Sequence, residues 1–230
     1  ILKCLESKDI VACPGSGKTT TLLAKLSIIQ SQLPLPENKG ICVLTHTNVA
    51  IDEIKDRLGN KSKELFEYPN FFGTIQSFVN QFLANPYFRN EYNKKISVID
   101  DEVYNREIVR EYLNIPDAIK FGLEKKHKRQ DSLLEMLTSL RFDLNTDGLV
   151  SNGKPIHSTE NKTSKALFSM KINVMENGIL SYDDAYWLAY KYILSNEPYL
   201  NTIFSARFPF VFIDEMQDTS LLQNELLKML

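Results

Sequence analysis

The stretch DIVACPGSGKTTTLLAKLSIIQ, residues 9–30, decides the fold. A short apolar run passes through a glycine-rich turn into a segment where Leu22, Leu23, Leu26 and Ile29 recur on one helical face, so the expected order is strand, loop, helix. Inside it, ACPGSGKT, Ala12 to Thr19, has the spacing of a phosphate-binding P-loop, with Ala12 where the first glycine usually stands. Gly15 and Gly17 lack a Cβ, which lets the backbone turn its amides onto phosphate oxygens at a helix N-terminus. Lys18 can reach the β- and γ-phosphates, and the Thr19 hydroxyl can ligate Mg²⁺. Cys13, Pro14 and Ser16 fill the loop without having to give a side chain to phosphate, and Thr20 follows it into the helix. A nucleotide with Mg²⁺ is the expected ligand.

Outward from this loop, GICVLTHTN at 40–48 reads as a second buried strand and VAIDEIKDRL at 49–58 as a helix, with Val49, Ile51, Ile54 and Leu58 at helical spacing. FPFVFIDEMQD at 208–218 is a further apolar strand, entered through Pro209 and followed by the helical SLLQNELLKML. Strand and helix in alternation imply an α/β fold with a parallel sheet flanked by helices. Asp214 and Glu215 stand at the C-terminal end of that last strand, where open α/β sheets bind ligands. Asp214 suits Mg²⁺, and Glu215 suits a base that orients and deprotonates the water attacking a γ-phosphate. A lone Asp-Glu turn would more often be structural; a P-loop far upstream in the same chain changes that balance.

Between these blocks, from about 84 to 180, the pattern changes. Helical stretches such as DDEVYNREIVREYL and DSLLEMLTSL alternate with polar ones, the longest from about Asp143 to Ser164, and the expectation is an inserted helical subdomain. The helix SYDDAYWLAYKYIL then returns the chain to the sheet, with Ser181 and Asp184 spaced for an N-cap. The expected division is 1–83, 84–180 and 181–230. Trp187, Tyr182, Tyr186 and Tyr190 fall at helical spacing and are expected to pack against the core; the basic run KKHKR, 125–129, reads as a solvated face before a nucleic-acid contact.

The totals exclude several classes. A net charge of -2 over 230 residues is not that of a uniformly basic nucleic-acid binder, so any phosphate-binding surface must be local. Cys4, Cys13 and Cys42 have neither disulfide nor zinc spacing and read as reduced thiols of a cytoplasmic protein. No apolar run is long enough to cross a bilayer.

ACPGSGKT, LTHTNVAIDEIKDRL, GTIQSF and IDEMQDT resemble, in order and spacing, motifs I, Ia, a following Thr-containing DNA motif and motif II of UvrD/Rep-type superfamily 1 DNA helicases. The run GILSYDDAYWLAYKYIL, then RFPFVFIDEMQDTS, is also similar to that family. The resemblance implies a RecA-like ATPase domain, 1A, with an inserted helical subdomain, 1B, and ATP-driven movement on single-stranded DNA and duplex junctions, usually 3′ to 5′, in processes such as DNA repair. Carried over by position, residues 12–20 bind the nucleotide, Thr19 and Asp214 hold Mg²⁺, Lys18 and Glu215 serve catalysis, and Gln217 senses the γ-phosphate. Thr45, His46, Asn48, Thr74 and Gln76 fall on the DNA-contacting motifs. Two of them depart from the pattern. His46 stands where the family has a base-stacking Phe, and Gln76 where it commonly has His.

The resemblance also implies an adenine-reading glutamine ahead of Ile1 and a second RecA-like domain, with its γ-phosphate arginines, beyond Leu230. The 230 residues alone are therefore expected to hydrolyse ATP poorly. An alternative within the same motor class is the ATPase portion of an AddA- or RecB-like helicase-nuclease. A P-loop kinase or GTPase is disfavoured by the paired IDEMQDT and LTHTN motifs, and a non-catalytic DNA-binding module by intact Lys18, Thr19, Asp214 and Glu215.

Overall fold

Helix α1, Lys18–Gln30, starts the described chain and buries Leu26 and Ile29 as its periodicity requires, with Leu22 and Leu23 packed beside them. The computed structural model describes residues 17–144, 146, 148–156 and 161–230. The strand expected ahead of the P-loop, Cys4, and Ala12, Cys13, Pro14, Gly15 and Ser16 lie outside the described residues.

After α1 come β1 (Ile41–Thr45), α2 (Asn48–Leu58), β2 (Phe71–Thr74) and α3 (Ile75–Val79). These elements, with β8 (Phe210–Ile213) and α10 (Leu221–Leu227) near the other end, belong to a compact unit of residues 17–78 and 196–230. Its three described strands form a parallel sheet in the order β2-β1-β8. Every residue of central β1 is buried, as a strand covered on both faces demands. Ile41 and Val43 meet Leu26, Ile29 and Ile54 in one core, with Phe72, Phe210 and Phe212 against it. Gly40 admits β1 beneath a neighbouring loop: a Cβ there would lie 2.3 Å from the Pro69 carbonyl oxygen. The Cys42 thiol is buried, and burial raises its pKa far above the ordinary thiol value.

One side chain of α2 corrects the expectation. Val49 is 76 % exposed, whereas Ile51 and Ile54 are buried. Residues 49 and 51 stand about 200° apart around a helix, so Val49 cannot share the inward face.

Residues 79–195 form the second compact unit. A π-helical turn, Asn80–Ala84, leads into α4 (Asn85–Tyr92), followed by β3 (Val98–Ile99), α5 (Asp101–Tyr112), α6 (Asp117–Lys126) and α7 (Gln130–Thr138). Strands β4 (Leu140–Phe142), β5 (Leu149–Ser151) and β6 (Lys154–Ile156) precede α8 (Lys162–Glu176), β7 (Ile179–Leu180) and the long α9 (Tyr182–Arg207). The unit is thus not helical throughout. Strands β4, β5 and β6 make an antiparallel sheet, and β3 pairs with β7. The polar stretch read between 143 and 164 contains β5 and β6, joined through Asn152 (φ 49) and Gly153 (φ 71), the positive-φ pair that closes a tight hairpin.

The core of this unit gathers Phe88, Tyr104, Ile108, Leu137, Leu167, Val174 and Leu188. Helix α9 begins in a reciprocal cap: the Asp184 amide donates to Ser181 Oγ, and the Ser181 amide to Asp184 Oδ2, each 3.1 Å. It bends at Asn196 (φ -141, ψ 16), two residues before Pro198. Tyr186 is buried and Trp187 stacks on Phe142 at 4.4 Å between ring centroids, in line with a packing role. Tyr182, 41 % exposed, does not follow them, because the first turn of α9 points it outward. The four Lys and Arg side chains of 125–129 are exposed.

Candidate nucleotide site and its neighbouring strand ends

Parallel pairing places three motifs along one sheet edge. Thr45 ends β1 in register with Thr74, which ends β2. On the other side Leu44 pairs with Ile213, and the Asp214 amide extends the ladder by donating to the Leu44 carbonyl at 2.9 Å. The C-terminal edge therefore carries Thr74, Thr45 and Asp214 side by side, where α/β sheets hold ligands.

Each strand end passes into a helix through its own hydroxyl. Thr47 Oγ accepts the Ala50 amide at 3.3 Å and caps α2, and Thr74 Oγ accepts the Ser77 amide at 3.1 Å at the start of α3. Thr45, almost fully buried, donates its hydroxyl to the Thr47 carbonyl at 2.9 Å and fixes the turn around His46. Asn48 is exposed at the start of α2, and Gln76 is partly buried within α3. The capping roles of Thr47 and Thr74 were missed by the motif reading; the signal available was a hydroxyl residue three positions ahead of the amide it caps.

At α1, Gly17 takes φ 85, a left-handed conformation that glycine adopts without strain. Glycine has no side chain with which to cap the helix, and the first helical turn has no acidic residue. The N-terminal amides of α1 thus present positive potential without a competing side-chain carboxylate from that turn. Lys18 and Thr19 are partly buried and Thr20 is exposed.

Lys18 Nζ lies 3.4 Å from Glu215 Oε2, an ion pair bridging P-loop and acidic strand end across 197 positions of sequence. The Gln217 amide donates to the same carboxylate oxygen. Glu215 has φ 54 and ψ 41, in the left-handed region that costs a non-glycine residue energy and that clusters at functional sites. The hydrogen bond from Gln217 is the main cause that holds the Glu215 carboxyl below the ordinary carboxylate value; burial opposes it, while Lys18 and, least, His46 add to it. Ser220 and Gln223 then close a reciprocal capping box that starts α10.

The residues present suit a nucleotide and a hard cation. An amide-rich helix start, one ammonium and neighbouring hydroxyl and carboxylate oxygens match phosphate and Mg²⁺. Among the described residues no group of three or more His, Cys, Asp or Glu could hold a metal by itself. No helix among the described residues is long and apolar enough to cross a membrane.

The family model described as the UvrD/REP helicase N-terminal domain matches residues 3–230. A Mycoplasma capricolum protein named "Probable DNA helicase II homolog" is 26 % identical over 223 residues, covering 96 % of this chain and 30 % of its own length. Its Mycoplasma pneumoniae namesake is 25 % identical over 234 residues, covering 94 % of this chain and again 30 % of its own. The Gabija protein GajB of Bacillus cereus is 36 % identical over 86 residues, 36 % of this chain and 15 % of that protein. The chain thus spans about three tenths of the length of the helicase relatives it matches. With a family model matched along nearly all of its residues, the chain belongs to the UvrD/REP helicase family, in the part that forms the N-terminal domain.

Proposed function

We propose that this chain is the ATP-binding part of a DNA helicase whose complete protein couples ATP hydrolysis to movement on single-stranded DNA, 3′ to 5′. The observation that carries the proposal is the Lys18–Glu215–Gln217 cluster at the sheet edge that also holds Asp214, Thr45 and Thr74. In this reading residues 1–83 and 181–230 are the RecA-like domain 1A and residues 84–180 the insertion 1B, which falls within the compact unit 79–195.

Ala12 to Thr20 cradle the phosphates, with Lys18 on the β- and γ-phosphates. Thr19 and Asp214 hold Mg²⁺, which when bound offsets the charge of the phosphate oxygens. Glu215, kept ionised by its neighbours, orients the attacking water and accepts its proton; Gln217, one bond away, reports the γ-phosphate. His46, Asn48, Thr74 and Gln76 face single-stranded DNA, with a hydroxyl and amides for phosphate and the His46 ring for a base, while the buried Thr45 shapes the turn that presents them. A second RecA-like domain in the whole protein supplies the arginines that make hydrolysis fast, contacts worth about a thousandfold or more.

Equilibrium binding of a fluorescent ATP analogue with Mg²⁺ to the full-length protein tests the nucleotide site. Lys18→Ala is expected to weaken binding by about tenfold or more, through loss of a charge-assisted contact to phosphate. Unchanged binding by that variant would remove the site.

A further inference from the structure

His46 occupies the turn between β1 and α2, one residue beyond the strand whose neighbour β8 delivers Asp214 and Glu215. The turn is pinned on both sides, by the Thr45 hydroxyl on the Thr47 carbonyl and by the Thr47 cap on α2, so the backbone that carries the ring is fixed. Its Nε2 is buried and has no hydrogen-bond partner among the described residues. A buried ring nitrogen left unsatisfied calls for an explanation. The register of the two strands brings them to the same edge: Leu44 pairs with Ile213, and two residues further on each chain stand His46 and Glu215.

Glu215, meanwhile, is held by a partner that the proposed chemistry needs elsewhere. Lys18 pairs with Glu215 Oε2 at 3.4 Å, yet the same ammonium is the group that engages the nucleotide phosphates. When Lys18 turns to phosphate, Glu215 gives up one of its two described side-chain contacts and keeps only Gln217.

We infer that His46 is a positioning residue for hydrolysis: its Nε2–H takes the place of Lys18 as hydrogen-bond donor to Glu215 once nucleotide is bound, and so sets the orientation of the water-activating carboxylate. The inference rests on the ATPase reading given above. It makes the residue at the DNA-contacting turn a direct link to the hydrolytic carboxylate. It also gives a chemical reason for a histidine at a position where a ring that only stacked would need no nitrogen.

The experiment is steady-state ATP hydrolysis by the full-length protein with and without single-stranded DNA, comparing wild type, His46→Phe, His46→Gln and Glu215→Gln. Phe keeps a stacking ring without a donor, whereas Gln places an amide N–H near the position of Nε2 without a stacking ring. The expected result is that His46→Phe lowers DNA-stimulated kcat by about tenfold or more at unchanged KM for ATP and undiminished DNA affinity, the effect of losing one hydrogen bond to a charged group. His46→Gln is expected to recover much of kcat while binding DNA more weakly. The reverse pattern, full kcat in His46→Phe and loss in His46→Gln, overturns the inference and leaves His46 as a stacking residue alone. Loss of kcat in both variants also overturns it, because the amide donor would then have failed to substitute. Failure of the underlying ATPase reading is distinguishable, since wild type and Glu215→Gln would then hydrolyse ATP alike.

Discussion

Glu215 concentrates the chemistry of this chain in one residue. Its left-handed backbone, φ 54, is an energetic cost that a glycine would avoid, and it places the carboxylate against Gln217 and Lys18. Because Gln217 contributes most to the lowered pKa, Gln217→Ala is expected to raise the Glu215 midpoint toward the ordinary 4.5, read by carboxyl-carbon NMR titration. The sign follows from linkage. A carboxyl depressed in the folded state stabilises the fold above its unfolded value, and that contribution is lost as pH falls through the lowered folded value, so the window lies below about 4.5. A midpoint unmoved by the substitution would contradict the geometry. The sequence motif made Lys18, Asp214, Glu215 and Gln217 legible as a set. It could not show that Lys18 and Glu215 pair with each other, because that contact depends on a non-glycine residue adopting a conformation that its type disfavours.

At the scale of elements, local signals read well where side-chain and backbone preferences agree. The reciprocal caps of α9 and α10 sit where serine precedes a hydrogen-bonding partner by three residues. The β5–β6 hairpin was not read from the sequence: Asn152-Gly153 is a turn signal, but its three-residue strands are too short to stand out from the polar stretch around them. Long-range polar contacts in the second unit had no local signal. Lys171 on α8, fully buried, lies 2.7 Å from Asp184 on α9 and donates to the Tyr104 hydroxyl on α5, also at 2.7 Å. Its ammonium also sits over the Tyr104 and Phe142 rings, 4.4 and 4.8 Å from their centroids. Burial draws the Lys171 pKa below the ordinary lysine value, and the Asp184 carboxylate works against that. Breaking such a pair from one side leaves a buried charge uncompensated. Lys171→Met or Asp184→Asn alone is expected to cost about 3–5 kcal/mol in denaturant unfolding, and the double variant less than the sum of the two. Additive losses would show that the two groups stabilise the unit independently.

At the scale of the whole molecule, the parallel sheet β2-β1-β8 brings motifs far apart in sequence together: Thr74, Thr45 and Asp214 end adjacent strands on one edge. Strand and helix alternation made that architecture legible, since parallel strands need crossover helices and bring their C-terminal ends to the same side. The composition of the second unit was less so, because helical periodicity dominated and its strands are only two or three residues long. The central claim is that this edge is the hydrolytic half-site of a DNA-driven motor. It is tested most directly by ATP hydrolysis of the full-length protein, with and without single-stranded DNA, in wild type and Glu215→Gln. The account predicts hydrolysis that DNA stimulates in wild type and that falls by about a hundredfold or more in Glu215→Gln, from loss of the general base. Equal rates for the two proteins, or a rate indifferent to DNA, would contradict it.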